Sequence, residues 1–265
     1  MMSLLPVNML SNSRWTVLSI LLALFMWFAL PVQAKELKVG LGELDYPPFY
    51  FVKDGTLHGA AIEIARQVSK KLGHTLVFKR YPFARLQAML KQGKIELMIL
   101  YFKTPDRQKD AVYTDLPHIY ESSHLFTVKG AEISFGGALA DLNSYSFGNV
   151  RGYSHGKDYD GADFLNKHAV RNEQTLLRML IGGRFDIAVG NKPAILMYAR
   201  QKGLDDKITF LTPTIDEGPN YFAFSKARRD AEELAKEFSF AVQEFIDTGE
   251  YRQILEKYDF DVPGG

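Results

Sequence analysis

Gly152-Tyr153-Ser154-His155-Gly156 is the segment whose residue types come closest to a catalytic device, because it fits the G-x-S-x-G nucleophile elbow and directly follows an apolar strand, Tyr145 to Val150. A serine hydrolase of that kind needs an acid and then a histidine arriving from later strands. Only His155 and His168 follow Ser154, and both are too close in sequence to return from another strand. The same turn offers backbone N–H groups at the start of a helix, an arrangement that suits an anionic group on a ligand. The six histidines include no H-E-x-x-H or other close pair, and there is no cysteine, so the sequence carries no metal-site signal. Gly40 and Gly42 lack the third glycine of a dinucleotide fingerprint, and no P-loop occurs. No cofactor is implied.

A second cluster, Thr104-Pro105-Asp106-Arg107, reads as a helix start, with threonine as cap, proline at the first position and aspartate complementing the dipole. Arg107 does not fit that pattern, since a cation in the first turn opposes the positive helix end by about 0.3–1 kcal/mol. Two uses remain open on the residues alone: an ion pair with Asp115 or another acid, or a bidentate clamp on a ligand carboxylate.

Strands alternating with helices must position these residues. Residues 37–41 (LKVGL) read as a buried strand, and Ala61, Ala65, Val68 and Leu72 recur at helical spacing up to Gly73. The pattern repeats with strand 75–81, a helix around Leu86 and Leu90 stopped by Gly93, and strand Ile95 to Leu100. Such alternation predicts parallel βαβ units. LKQGKIELMI (90–99) and LIGGRFDIAV (180–189) echo one another, which predicts two lobes of related topology. One crossing between lobes is expected where Leu125 to Val128 leads into the glycine-rich segment 131–144, and a second at Tyr221 to Phe224. The stripe Ala231, Leu234, Ala235, Phe238, Ala241 and Phe245 is expected to pack back on the first lobe.

The chain opens with a single charge, Arg14, then an apolar run from Trp15 to Leu30, Pro31, and small residues up to Ala34. This is the layout of a secretory signal peptide, too short to span a bilayer comfortably. The domain expectation is therefore a leader at 1–34, a first lobe at 35–127 and 221–265, and a second at 128–220. Beyond the leader there are 31 basic and 31 acidic residues. With that balance no nucleic-acid or anionic-membrane partner is expected. The absence of cysteine also excludes a lipid-carrying cysteine, so the exported product is expected to be soluble in the periplasm. Both tryptophans lie in the leader, which leaves Phe and Tyr to wall any ligand site.

ELDYPPFYF, DGTLHGAAIEIA, LKQGKIELMI, TPDR, FGNVRGYSHG and GGRFDIAVGN, in this order and spacing, resemble the bacterial extracellular solute-binding proteins of family 3, receptors that deliver polar amino acids to ABC importers. The likeness covers the whole chain after the leader. It implies a two-lobed α/β periplasmic-binding-protein fold of type II, with two crossing strands as a hinge, working as a monomer with importer membrane subunits as partners. Residue by residue, Arg107 matches the arginine that holds the ligand α-carboxylate. Glu43 and Tyr46 match first-lobe positions that touch ligand, Phe83 an aromatic or apolar wall, and Ser154 a second-lobe hydroxyl that also meets the carboxylate.

Two departures mark the pocket as altered. Asn191 stands where the family usually has an aspartate binding the α-amino group, and an amide cannot neutralise an ammonium; Glu43 is the candidate to supply the missing charge. Tyr101, Phe102 and Lys103 stand where small and hydroxyl residues normally face the ligand. The expected ligand is a small carboxylate-bearing molecule, an amino acid or a relative, with an apolar part against Tyr46, Phe83, Tyr101 and Phe102. Lys103 and Arg151 would favour a further anionic group if they point inward, and are otherwise surface cations. The reading is recognition without catalysis. Its rivals are a sensory receptor for a membrane signalling protein and a dehydratase-like enzyme with Glu43 as the cleft acid.

Overall fold

The computed structural model describes residues 34–260. The leader expected at 1–34 lies, but for Ala34, outside the described residues. Among those that are described, no helix is long and apolar enough to cross a membrane.

Strand β1 (Glu36–Gly42) buries Leu37, Val39 and Leu41 completely or nearly so. A hairpin of β2 (Phe51–Lys53) and β3 (Thr56–His58) follows, turned by Asp54 and Gly55, whose φ of 51° and 72° suit an Asp-Gly turn. Helix α1 (Ala60–Lys71) buries Ala61, Ile64, Ala65 and Val68 on one stripe. Then come β4 (Thr75–Tyr81), α2 (Phe83–Lys91), β5 (Leu97–Phe102), β6 (Ala111–Tyr113) and the long β7 (Ile119–Val128). The next group is β8 (Ser146–Val150), α3 (Lys157–Asp160), β9 (Asn166–Val170), α4 (Glu173–Ile181), β10 (Ile187–Gly190) and α5 (Lys192–Gln201). β11 (Ile208–Phe210), β12 (Asp216–Ser225), α6 (Ala231–Ile246) and α7 (Gly249–Lys257) complete the chain.

The main path through the strands runs β4-β1-β5-β12-β7-β10-β8-β9. It reads the same from both ends. β4-β1-β5 and β9-β8-β10 are parallel sets, each entered by its own antiparallel strand, β12 or β7, and those two strands pair with each other. The echo at 90–99 and 180–189 is the joint that makes the halves alike. Helices α2 and α4 end on Gly93 and Gly183 with φ of 70° and 67°. The amides of these glycines donate to Leu90 and Leu180 carbonyls, each at 3.0 Å, before β5 and β10 begin.

The stripe on α6 packs on the first half as expected: Phe238 lies edge-on to Phe222 and Phe224 at 5.4 and 4.9 Å, in one core with Leu37, Val39 and Ile64. The ladder between the halves joins Ile119–Ser123 to Asp216–Asn220, ahead of both expected crossings. The glycine-rich segment takes no part in it, and forms a 3-10 turn at Leu139–Leu142 leading to β8. The reason is polarity: Tyr120, Glu121, Ser122 and Ser123 do not read as a core strand, although they extend β7 toward the hinge.

Candidate functional site

The carboxyl ends of β1, β5 and β8 and the crossing strands β7 and β12 converge on one cavity, where sheets of this kind place ligands. Its volume is about 40 Å³, room for a few waters at about 10–15 Å³ each. A wider groove of about 840 Å³ shares Phe102, Arg107, Tyr153 and Ser154 with the cavity and leads outward.

Arg107 dominates the cavity. Thr104 does cap the turn, its hydroxyl accepting from the Arg107 amide at 3.3 Å, but the element is a single 3-10 turn, Arg107–Lys109, and not the helix the sequence predicts. Arg107 is 8 % exposed, and its guanidinium stacks over Tyr101 at 4.4 Å and Phe83 at 5.6 Å. It donates to Phe102 O at 3.2 Å and to Gly152 O at 2.8 Å, so it reaches from the first half to the second. Burial lowers its pKa. Asp115, the bland partner, accepts nothing from it; no acid among the described residues pairs with it.

Tyr46, Phe83, Phe102 and Ser154 line the same cavity, and Tyr101 backs the arginine from behind. The Ser154 hydroxyl donates to Asp160, whose other oxygen accepts from the His155 amide at 3.0 Å. His155 turns away: its Nδ1 meets Ser123 Oγ at 3.1 Å, and burial pushes its pKa down to about 4. Ser154 therefore has no histidine base, and the elbow reading ends there.

Besides Tyr101, which lies behind the arginine, two further expected contact residues lie off the cavity. Glu43 is held by Arg171, whose Nε donates at 2.8 Å and whose second guanidinium nitrogen donates at 2.5 Å, and by Asn172 Nδ2 at 2.8 Å. The Arg171 hydrogen bond lowers its pKa. Asn191 caps α5, accepting from the Ala194 amide at 3.3 Å and donating to Ser122 O at 3.3 Å. Glu121 and Ser122 are neighbours on β7 and face opposite sides of it. Glu121 lines the cavity, whereas Ser122 and Asn191 border a separate depression. Lys103 and Arg151 are exposed, which favours their surface reading.

The residues that sequence reasoning passed over are Glu121, Asn220, Tyr50 and Tyr153. The Tyr46 hydroxyl donates to Glu121 Oε1, and Asn220 Nδ2 donates to Oε2 at 3.1 Å. Burial pushes the Glu121 carboxyl up to about 7, against the pull of those two donors. Tyr153 stands edge-on to Phe83 at 4.8 Å and donates to Glu173 at 2.6 Å, whose pKa burial also raises. A lone acid in the strand IYESSHLFTV was the available signal for Glu121; Tyr153 sat inside the motif already singled out.

A cleft between two like α/β halves, walled by aromatics and holding a buried arginine with no acid partner among the described residues, is suited to a small anionic group. Comparison with known proteins agrees. The chain is 27 % identical over 246 residues to the L-arginine-binding protein of Pseudomonas aeruginosa, covering 89 % of this chain and 93 % of that one. It is 24 % identical over 240 residues to the arginine-binding periplasmic protein of Mannheimia haemolytica, covering 89 % and 96 %. Among solved structures it superposes on an ancestral arginine-binding protein bound to glutamine with a TM-score of 0.71, at 26 % identity, covering 85 % and 98 %. A sequence model of the bacterial extracellular solute-binding proteins, family 3, matches residues 37–261, and the chain belongs to that family.

Proposed function

We propose that this solute-binding protein captures an α-amino acid in the periplasm and presents it to the membrane subunits of an ABC importer. The observation that carries the reading is Arg107, a buried guanidinium with no acid partner among the described residues, aimed into a cavity between the halves. The two backbone carbonyls it holds are weaker partners than a carboxylate, which a guanidinium grips bidentately. The relatives named for arginine support an amino acid as that carboxylate's owner. Ligand exchanges for the Gly152 carbonyl, and the aromatic rings of Tyr46, Phe83 and Phe102 wall its apolar part.

The lobes of this reading are 35–127 with 221–265, and 128–220, cuts that fall inside β7 and β12. The leader directs export, and the molecule works as a monomer. Recognition proceeds without reaction: Glu43, the acid a dehydratase-like activity would use, is tied to Arg171 and Asn172 and held ionised, unsuited to proton donation.

The test is a melting screen of residues 35–265, stripped of carried ligand by unfolding and refolding, against the standard amino acids and simple di- and tricarboxylates. An external dye reports, since both tryptophans precede residue 35. At 100 times Kd a ligand adds about 2.7 kcal/mol, a rise of roughly 5–10 °C for a protein of this size. At least one α-amino acid is expected to produce it and Arg107→Ala to abolish it. Stabilisation by dicarboxylates alone, or an unaffected Arg107→Ala, would remove the amino-acid reading.

A further inference from the structure

Two opposite charges line the cavity without touching each other. Among the described residues the Arg107 guanidinium donates only to backbone carbonyls, and the Glu121 carboxylate accepts only from the neutral donors Tyr46 and Asn220. Among the described residues neither has an ion-pair partner within 4.0 Å, yet both border the same space and no other charged side chain does. A lone charge in such a place is costly unless something supplies its complement. A zwitterion entering between them satisfies both at once.

Two other acids beside the cavity are committed elsewhere, and Asp216 and Glu217 line the outer groove and not the cavity. Glu43 is gripped by Arg171 and Asn172, and Glu173 takes the Tyr153 hydroxyl outside the cavity lining. Asn191, at the position where the family resemblance sets the ammonium-binding aspartate, has its amide occupied as a helix cap on the far side of β7. Each Glu121 oxygen has one neutral donor on it, which fixes the carboxylate and leaves lone pairs free toward the cavity. We infer that Glu121, on the crossing strand β7, is the residue that receives the ammonium of the ligand, in place of the second-lobe position held by Asn191. Selection for a zwitterion over a plain carboxylic acid is then set at the hinge, on a strand shared by both halves, and not on the closing lobe.

This inference rests on the amino-acid reading above, and its test separates the two. The probes are the standard L-amino acids that stabilise the protein in the melting screen, each paired with the acid carrying hydrogen in place of the ammonium. Titration calorimetry gives the ratio of the two affinities. Wild type is expected to prefer the amino acid at least 100-fold. Glu121→Gln narrows that preference at least tenfold while leaving the deaminated acid bound as well or better, Glu121→Asp retains part of it, and Asn191→Ala leaves it within twofold. Glu121→Asp also guards against a folding defect, because it keeps the charge and the strand. A preference undiminished in Glu121→Gln, or one abolished by Asn191→Ala, overturns the inference while Arg107 keeps its role. If no amino acid binds wild type, the reading and the inference fall together.

Discussion

Glu121 carries the cost of being poised for a ligand. Its pKa, raised by burial from 4.5 to about 7, means that holding it ionised in the folded protein is unfavourable. The sign follows from linkage: the penalty is absent below about pH 4.5, grows between 4.5 and 7, and is complete above 7. Arg107, Glu173 and the neutral Tyr46 and Asn220 are the groups acting on it, and Glu173, also raised by burial, tilts stability the same way. Glu121→Gln removes one of the two contributions. Denaturant titrations should show the ligand-free variant gaining on wild type by about 2–3 kcal/mol at pH 8 and by little at pH 4.5. An equal gain at both values would mean that the carboxylate is not desolvated. Tyr153→Phe removes the one side-chain donor that the buried Glu173 carboxyl has among the described residues, and should cost about 1–3 kcal/mol at neutral pH. At this scale the sequence was only half legible. Arg107, Tyr46, Phe83, Phe102 and Ser154 line the cavity. Glu121 was missed because strand pleating and the neighbouring helix, not residue type, decide that it faces the cavity and that Asn191 does not.

Gly93 and Gly183 end the two echoing helices with the same hydrogen bond and nearly the same φ, so they test whether the halves are built alike. A Cβ at Gly183 meets nothing within 4 Å, so Gly183→Ala is charged for its left-handed backbone alone, about 1 kcal/mol. At Gly93 the added carbon stands 3.1 Å from the Ala227 methyl, and Gly93→Ala should cost more than its counterpart. Equal costs in chemical denaturation would contradict that packing. Elements of this kind were well marked in the sequence. β4 occupies 75–81 as read, and α1 stops before Gly73. The hinge half of β7 was not marked, since its polar residues answer to the cleft and not to a core.

At the scale of the whole molecule, three side-chain contacts bridge the halves. Arg107 reaches Gly152, Glu43 grips Arg171 and Asn172, and the Tyr198 hydroxyl donates to Asp45 O. The Glu43–Arg171 pair is exposed on its arginine side and screened by salt. Glu43→Gln should therefore enlarge the ligand-free radius of gyration in small-angle scattering at low salt, with the difference from wild type fading at high salt and on saturation with ligand. A radius unchanged at every salt concentration would assign closure to the other contacts. In the proposed function, Arg107 holds the carboxylate of an α-amino acid in the cleft. The most direct test of that role is calorimetric titration of the ligand-stripped protein with the amino acid that stabilises it most and, separately, with that amino acid's α-amide. The acid is expected to bind, the amide to lose roughly 100-fold or more, and Arg107→Ala to show no such difference. An amide that binds wild type as tightly as the acid would contradict that role.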